Sequence, residues 1–189
     1  MDALMIVLVV TLFAQVGGRL SGFATQLAER TGRIAPVLVG VLLAEAVLAA
    51  VAVGIGVELA PQVTPEIRTL ILAIALALVG IGLTTRLPRP GSPFGWPRLG
   101  AFGTALLGGG AILLGESGLM LVAAAAARSP LPWAAWPGAM LGLLGALLPP
   151  LLLGEREWRR IPWRAIRIVI GTGMILAAIV IALATKGLI

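Results

Sequence analysis

The sequence predicts an all-α integral membrane protein whose six transmembrane helices form two inverted three-helix repeats. Three observations carry this. The 189 residues are 59% hydrophobic and only 12% charged, with a mean hydropathy of +1.07. A soluble domain holds about 45–50% apolar and about 25% charged residues. Six apolar runs approach the roughly 20 residues that cross a bilayer as helix. Finally, the segment 86–98 (RLPRPGSPFGWPR) carries four prolines and two glycines, so no helix crosses it. It leaves three helices on each side, and an odd number forces the second half into the membrane upside down. That is the plan of many secondary transporters, whose sites lie at the midplane between the halves.

The six runs follow in order. The first, about Ala3 to Leu27, contains Gln15 and Arg19. Met1-Asp2 lacks a basic lead-in, so the run reads as a membrane helix rather than a cleaved signal. The second, Ile34 to Val57, has Pro36 in its first turn, where a missing N–H is harmless. The third runs from Thr69 to Thr85. The fourth, Leu99 to Ala127, is long enough to require tilt or projection. The fifth, Leu131 to Leu153, is expected to be interrupted at Pro137 and Pro149-Pro150; the sixth runs from Ile168 to Thr185. None shows the two-residue alternation of a barrel strand. The expected organisation is a first repeat over 1–85, a cytoplasmic linker over 86–98 and a second repeat over 99–189.

Charge sets the expected orientation. One set of loops carries Arg30, Arg33, Arg86, Arg89, Arg98, Arg156, Arg159, Arg160, Arg164 and Arg167, against Arg68, Arg128 and Lys186 on the other side. The arginine-rich side is expected to be cytoplasmic, with both termini outside. Trp133 and Trp136 then fall near the outer interface, and Trp96, Trp158 and Trp163 near the inner one. The excess of Arg over Lys, with abundant Ala, Gly and Pro, suggests a GC-rich bacterial genome and hence a bacterial cytoplasmic (inner) membrane.

Composition also excludes. Tyr, His and Cys are absent, which removes disulfides, thiolate metal sites, haem ligation and histidine acid–base chemistry. The net charge of +6 does not point to nucleic acid, because the arginines cap apolar runs rather than forming a stripe with aromatics. No nucleophile–base pair lies within the helices, so an enzyme is not expected.

The polar residues inside the runs are the candidates. Glu116 is the one ionisable residue between Leu99 and Ala127. A charge at mid-bilayer costs roughly 3 kcal/mol on insertion scales, so it is kept when functional or paired. Glu116 reads as a cation ligand or proton carrier, or as a protonated acid bonded between helices. Ser117 could lend its hydroxyl, or bond back to its own helix. Glu45, near the centre of the second run, meets the same cost. Gln15 and Arg19 share a helix face; Arg19 either pairs with Glu116 or Glu45 or snorkels to the interface. Gln15-x-Gly17 and Glu116-x-Gly118 repeat one pattern, a polar residue, a spacer and a glycine. Gly17, Gly18 and Gly118 could free backbone carbonyls toward a cavity, and Pro149 should open the helix ladder. Gly108-Gly109-Gly110, Gly138-x-x-x-Gly142 and Gly171-x-Gly173 read as close helix packing.

With these residues in view, the chain resembles the six-helix Golgi-type cation/proton exchanger family, which includes bacterial manganese exporters. That family carries E-x-G-D-K-S/T in the first helix of each half. The counterparts here are Gln15-Val16-Gly17-Gly18-Arg19-Leu20 and Glu116-Ser117-Gly118-Leu119-Met120-Leu121. The context is similar too: the short basic loop before Pro36-Val37-Leu38-Val39-Gly40, then Arg128-Ser129-Pro130, Leu141-Gly142, Pro149 through Glu155, and Ile161 through Arg167 ahead of the last helix. The resemblance implies a manganese or calcium exporter coupled to protons, with Glu116 and Gln15 as metal ligands. Of four motif carboxylates, Glu116 alone is present; Gln15 stands for Glu, Gly18 and Leu119 for Asp, and Met120 for Lys. Glu116 and Glu45 against Arg19 leave a site charge of −1, where the family motifs give −2. Mn²⁺ and Ca²⁺ take about six or more hard oxygen ligands; Glu116, Gln15, Ser117 and freed carbonyls are those on offer.

The expectation is therefore a secondary-active transporter exporting a cation, manganese first, by proton-coupled alternating access. Its partners are the lipid bilayer, the cation and protons, with a homo-oligomer left open and no resident cofactor. The alternatives are a membrane scaffold that has lost the ion site, and an exporter of small organic solutes in which Arg19 faces a substrate carboxylate.

Overall fold

A computed structural model describes residues 2–85, 99–158, 160–185 and 187. Among the described residues every regular element is helical: α1 (Asp2–Gln15), α2 (Arg19–Thr31), α3 (Ile34–Leu59), α4 (Pro65–Thr84), α5 (Gly100–Leu114), α6 (Gly118–Arg128), α7 (Ala135–Trp158) and α8 (Trp163–Thr185), with short 3-10 turns at Ala60–Gln62 and Pro132–Ala134. The expected 86–98 linker lies outside the described residues.

Four helical stretches are long and apolar enough to cross a membrane: Ile34–Gln62, Pro65–Thr84, Pro132–Gly154 and Trp163–Thr185. The other two apolar runs are each split into a bent pair. α1 and α2 meet at 63°, α5 and α6 at 69°, and counting each pair as one span gives six. The first and fourth runs are thus broken near their middles, not continuous as composition alone suggested.

The helix faces match a lipid surround. On α3, Val37, Val41, Ala44, Glu45, Ala49, Ala52 and Val53 are buried. Val39, Leu43, Val47, Val51 and Ile55, four residues apart, are exposed. A helix apolar on both faces needs an apolar solvent on the outer one. α4 starts from Thr64, whose hydroxyl accepts from the Ile67 N–H at 3.4 Å, with Pro65 in the first turn. α7 keeps its helical assignment through Pro137, Pro149 and Pro150; the non-helical residue is Gly154, at φ 79° and ψ 163°. The expected interruption at Pro149 therefore falls five residues further on, at a glycine that takes up positive φ without a Cβ penalty.

Packing interlocks the two halves. α1 lies on α7, α3 on α5 and α6, and α4 on α8. Small residues set these approaches: a Cβ added at Gly138 or Gly142 would come within 2.6 Å of the Leu4 or Leu8 carbonyl oxygen. Gly80 and Gly171 face each other in the same way across α4 and α8. Two apolar cores result. One gathers Val7, Val53, Leu72, Leu121 and Met174; the other gathers Leu20, Val41, Leu113, Leu143 and Leu147. Their boundary runs through each half: Ala14 borders one and Leu20 lies in the other, Leu121 one and Leu113 the other, Ala49 one and Ala44 the other. Gln15, Glu116 and Glu45 sit at that boundary.

Candidate functional site

The site is built from the two helix breaks. At the first, α1 ends on Gln15, Gly17 turns left-handed at φ +64°, and Gly18 is extended before α2 begins at Arg19. Only glycine tolerates that first torsion readily. A Cβ on Gly17 would lie 2.7 Å from the Trp163 ring, so no larger residue fits beneath it. Trp163 is held in turn: its indole N–H donates to the Trp158 carbonyl at 2.8 Å, and the two rings lie 4.1 Å apart. Trp158 is buried rather than free at an interface. At the second break the backbone stays near αR, with Gly115 and Glu116 donating three residues back to Ile112 and Leu113. Ser117 precedes α6 without capping it through its side chain.

The breaks face each other. Gln15 Nε2 donates to Glu116 Oε2 at 2.6 Å, across 101 residues of sequence. Gln15 is 4% exposed, and Glu116 is half-buried. A charge-assisted bond of this kind is roughly twice as strong as a neutral one. On one side of the pair lies a cleft of about 300 Å³ walled by Arg19, Gly82, Leu83, Ser117 and Arg167 among others. A neighbouring cleft of about 290 Å³, lined by Gly17, Thr84, Thr85, Trp163 and Arg164, shares Leu83, Thr85 and Arg167 with it. Both therefore lie toward the bundle end where α4 stops and α8 starts, the arginine-rich end. On the other side of the pair the packing tightens next to the acids, and a separate cleft of about 180 Å³ lies further out, lined by Ala3, Ile6, Leu72, Ala125 and Arg128. A void of about 10 Å³ remains, bordered by Thr11, Gln15, Glu45 and Glu116.

The structure brings Gln15, Glu116 and Glu45 together. Ser117, Gly118 and Arg19 join Gln15 and Glu116 on the cleft wall. Arg19 is exposed into that cleft and, among the described residues, makes no ion pair with Glu116 or Glu45. It neither locks the helices nor neutralises the acids by contact. Glu45 is 3% exposed.

Arg167 is the residue that sequence reasoning missed, counted there as one loop arginine among ten. α8 begins at Trp163 rather than Ile168, which places Arg167 within the helix. It lies on the stripe of Gly171, Met174 and Ala178 that α8 buries, and that four- and three-residue spacing was the signal available. Arg167 is 7% exposed and donates from Nη1 to the Val16 carbonyl at 3.4 Å, onto the first break. Both Arg167 and Arg19 act electrostatically on Glu116.

With both carboxyls ionised, two acids and two guanidiniums sum to zero. Among the described residues no group of three acidic, histidine or cysteine side chains is placed to hold a metal ion. Glu116 and Gln15, the expected metal ligands, supply two oxygen-bearing side chains with a guanidinium close by, and Coulomb repulsion opposes a divalent ion there. No protein family, no curated protein and no solved structure matches the chain.

Proposed function

We propose that this chain is a secondary-active transporter of the bacterial inner membrane, built as two inverted three-helix repeats and coupled to protons. The observation that carries the reading is the meeting of two bent, glycine-containing spans through Gln15 and Glu116 at the blind end of a cleft. Broken spans crossing at mid-membrane are how transporters expose polar groups to a solute. The pairing of spans agrees with an inverted repeat: first on fifth, second on fourth, third on sixth. On the positive-inside rule the cleft opens to the cytoplasm and both termini face outward. The fold then stands inward-open, and Glu116 is the acid that an incoming solute meets.

The resemblance to the cation/proton exchangers makes manganese the first cargo to test, and calcium the next. A second reading is favoured by Arg167. With two guanidiniums facing the cleft, a small organic solute carrying a carboxylate fits the wall better than a bare divalent ion, since planar guanidinium forks match carboxylates.

Flux into proteoliposomes under an imposed pH gradient tests the class and the cargo together. Manganese flux that disappears in Glu116→Gln supports the exchanger. Flux of small amino or hydroxy acids, blocked in Arg167→Gln, supports the second reading. A chain that moves neither, while folding and inserting normally, is a scaffold and the proposal fails.

A further inference from the structure

The packed side of the site holds an inconsistency of hydrogen bonding that points to a proton. Among the described residues, the buried side-chain atoms with no hydrogen-bond partner are Gln15 Oε1 and Glu45 Oε2. Both residues border the same 10 Å³ void. Both are more than nine-tenths buried. Gln15 spends its amide N–H on Glu116, so its oxygen can only accept. An ionised Glu45 also can only accept. Two buried acceptors around one void each carry the desolvation cost of an unmade hydrogen bond unless a donor is supplied. A void of that size lies at the lower limit for one water.

We infer that Glu45 is the proton-carrying acid of the site and that, directly or through one water, its O–H donates to Gln15 Oε1. The result is a relay, Glu45 to Gln15 to Glu116, in which every buried polar atom has a partner. Hydrogen bonding assigns the proton to Glu45 rather than to Glu116: Glu116 Oε2 already accepts from Gln15, whereas Glu45 Oε2 has no partner. Arg19 and Arg167 line the cleft beside Glu116, and Glu45 does not border that cleft. The other described charges on helices packed against α3 are Glu29 and Arg30 of α2, Arg128 of α6 and Glu157 of α7. All lie in the last turns of their helices, whereas Glu45 is central in α3. Two carboxyls in one pocket share a single negative charge most readily, and the two guanidiniums stand on the Glu116 side.

Glu45 belongs to neither repeated motif. It faces the packed side, away from the cleft. When that side opens, Glu45 reaches water and exchanges its proton there. This last step rests on the transporter reading; the protonation does not.

The test needs no cargo. Infrared spectra of the protein in phosphatidylcholine–phosphatidylglycerol vesicles at neutral pH should show a protonated carboxyl C=O band. That band should be absent in Glu45→Gln. The amide of Glu45→Gln can donate to Gln15 Oε1 in place of the acid, so thermal stability should stay near wild type. Glu45→Ala, which leaves that oxygen bare, should unfold earlier than Glu45→Gln. A wild-type spectrum without the acid band overturns the inference, as does a band that survives in Glu45→Gln. So does a Glu45→Gln protein as unstable as Glu45→Ala. None of these readouts depends on transport, so they judge Glu45 separately from the function proposed above.

Discussion

Gln15 and Glu116, each one spacer ahead of a glycine, meet at 2.6 Å. Gln15 ends the helix just before the first break and Glu116 lies in the second, so the bond joins two irregular backbones, not two straight helices. Gln15→Ala removes the donor and leaves Glu116 Oε2 without its partner. A loss of about 1–3 kcal/mol is expected, which for a chain of this size lowers the melting temperature by several degrees. Thermal unfolding in detergent measures it, and an unchanged melting point would show the bond to be dispensable.

The first break depends on Gly17. Gly17→Ala combines a positive φ with a Cβ at 2.7 Å from the Trp163 ring, and should cost about 2 kcal/mol or more. Gly18→Ala has an ordinary φ of −80° and a nearest contact of 3.1 Å, and should be milder. Adding Trp163→Ala to Gly17→Ala should recover part of the loss, because the two residues touch and their effects do not add. Chemical or thermal melts of the three variants give the comparison.

Arg167→Gln removes a buried cation from the cleft wall while keeping a polar side chain. It should tighten binding of a divalent cation by about tenfold or more, equivalent to about 1.4 kcal/mol. It should weaken binding of a carboxylate solute by a similar factor. Calorimetry with manganese and with small carboxylic acids reads both, and equal affinities in wild type and variant would remove Arg167 from the site.

Close helix approach predicts a sharp contrast between neighbouring glycines. Gly171→Ala drives a methyl to 2.7 Å from the Gly80 carbonyl oxygen, whereas Gly173 has nothing within 4 Å. Gly171→Ala should destabilise measurably, and Gly173→Ala should stay within about 0.5 kcal/mol of wild type. Gly142→Val, aimed at the Leu8 carbonyl, should behave like Gly171→Ala.

The chain has no cysteine, so single cysteines report access without background. Gly82→Cys lies on the cleft wall with free space around it, and should react with a membrane-impermeant maleimide applied from the arginine-rich side. Thr11→Cys, beside the packed void and 7% exposed, should be protected from both sides. Labelling of Thr11→Cys from the arginine-rich side would contradict the closed packing described above.

The membrane character was plain from the sequence because lipid burial is written into composition, and the apolar runs became helices or bent pairs. The breaks were half legible. Gln15-x-Gly17 and Glu116-x-Gly118 marked where they would fall, but glycine beside a polar residue does not state an angle. Pro149-Pro150 drew attention that belonged to Gly154, since a helix can keep its torsions through proline once it gives up the missing N–H bonds. Arg19 could not be placed because spacing fixes a helix face, not what lies opposite it. Arg167 was hidden by its company: a run of loop arginines looks like an orientation signal, and the start of α8 decided otherwise.

The interlocking of the halves bears on biogenesis. The principal neighbours of α1, α3 and α4 are α7, α5 with α6, and α8, all of which leave the ribosome later. The first three spans must wait in the bilayer without their final partners, dependent on insertases and lipid for shelter. Final assembly then becomes a late, largely post-translational event. Separately expressed halves, divided within 86–98, should reconstitute when made together and be degraded when made alone.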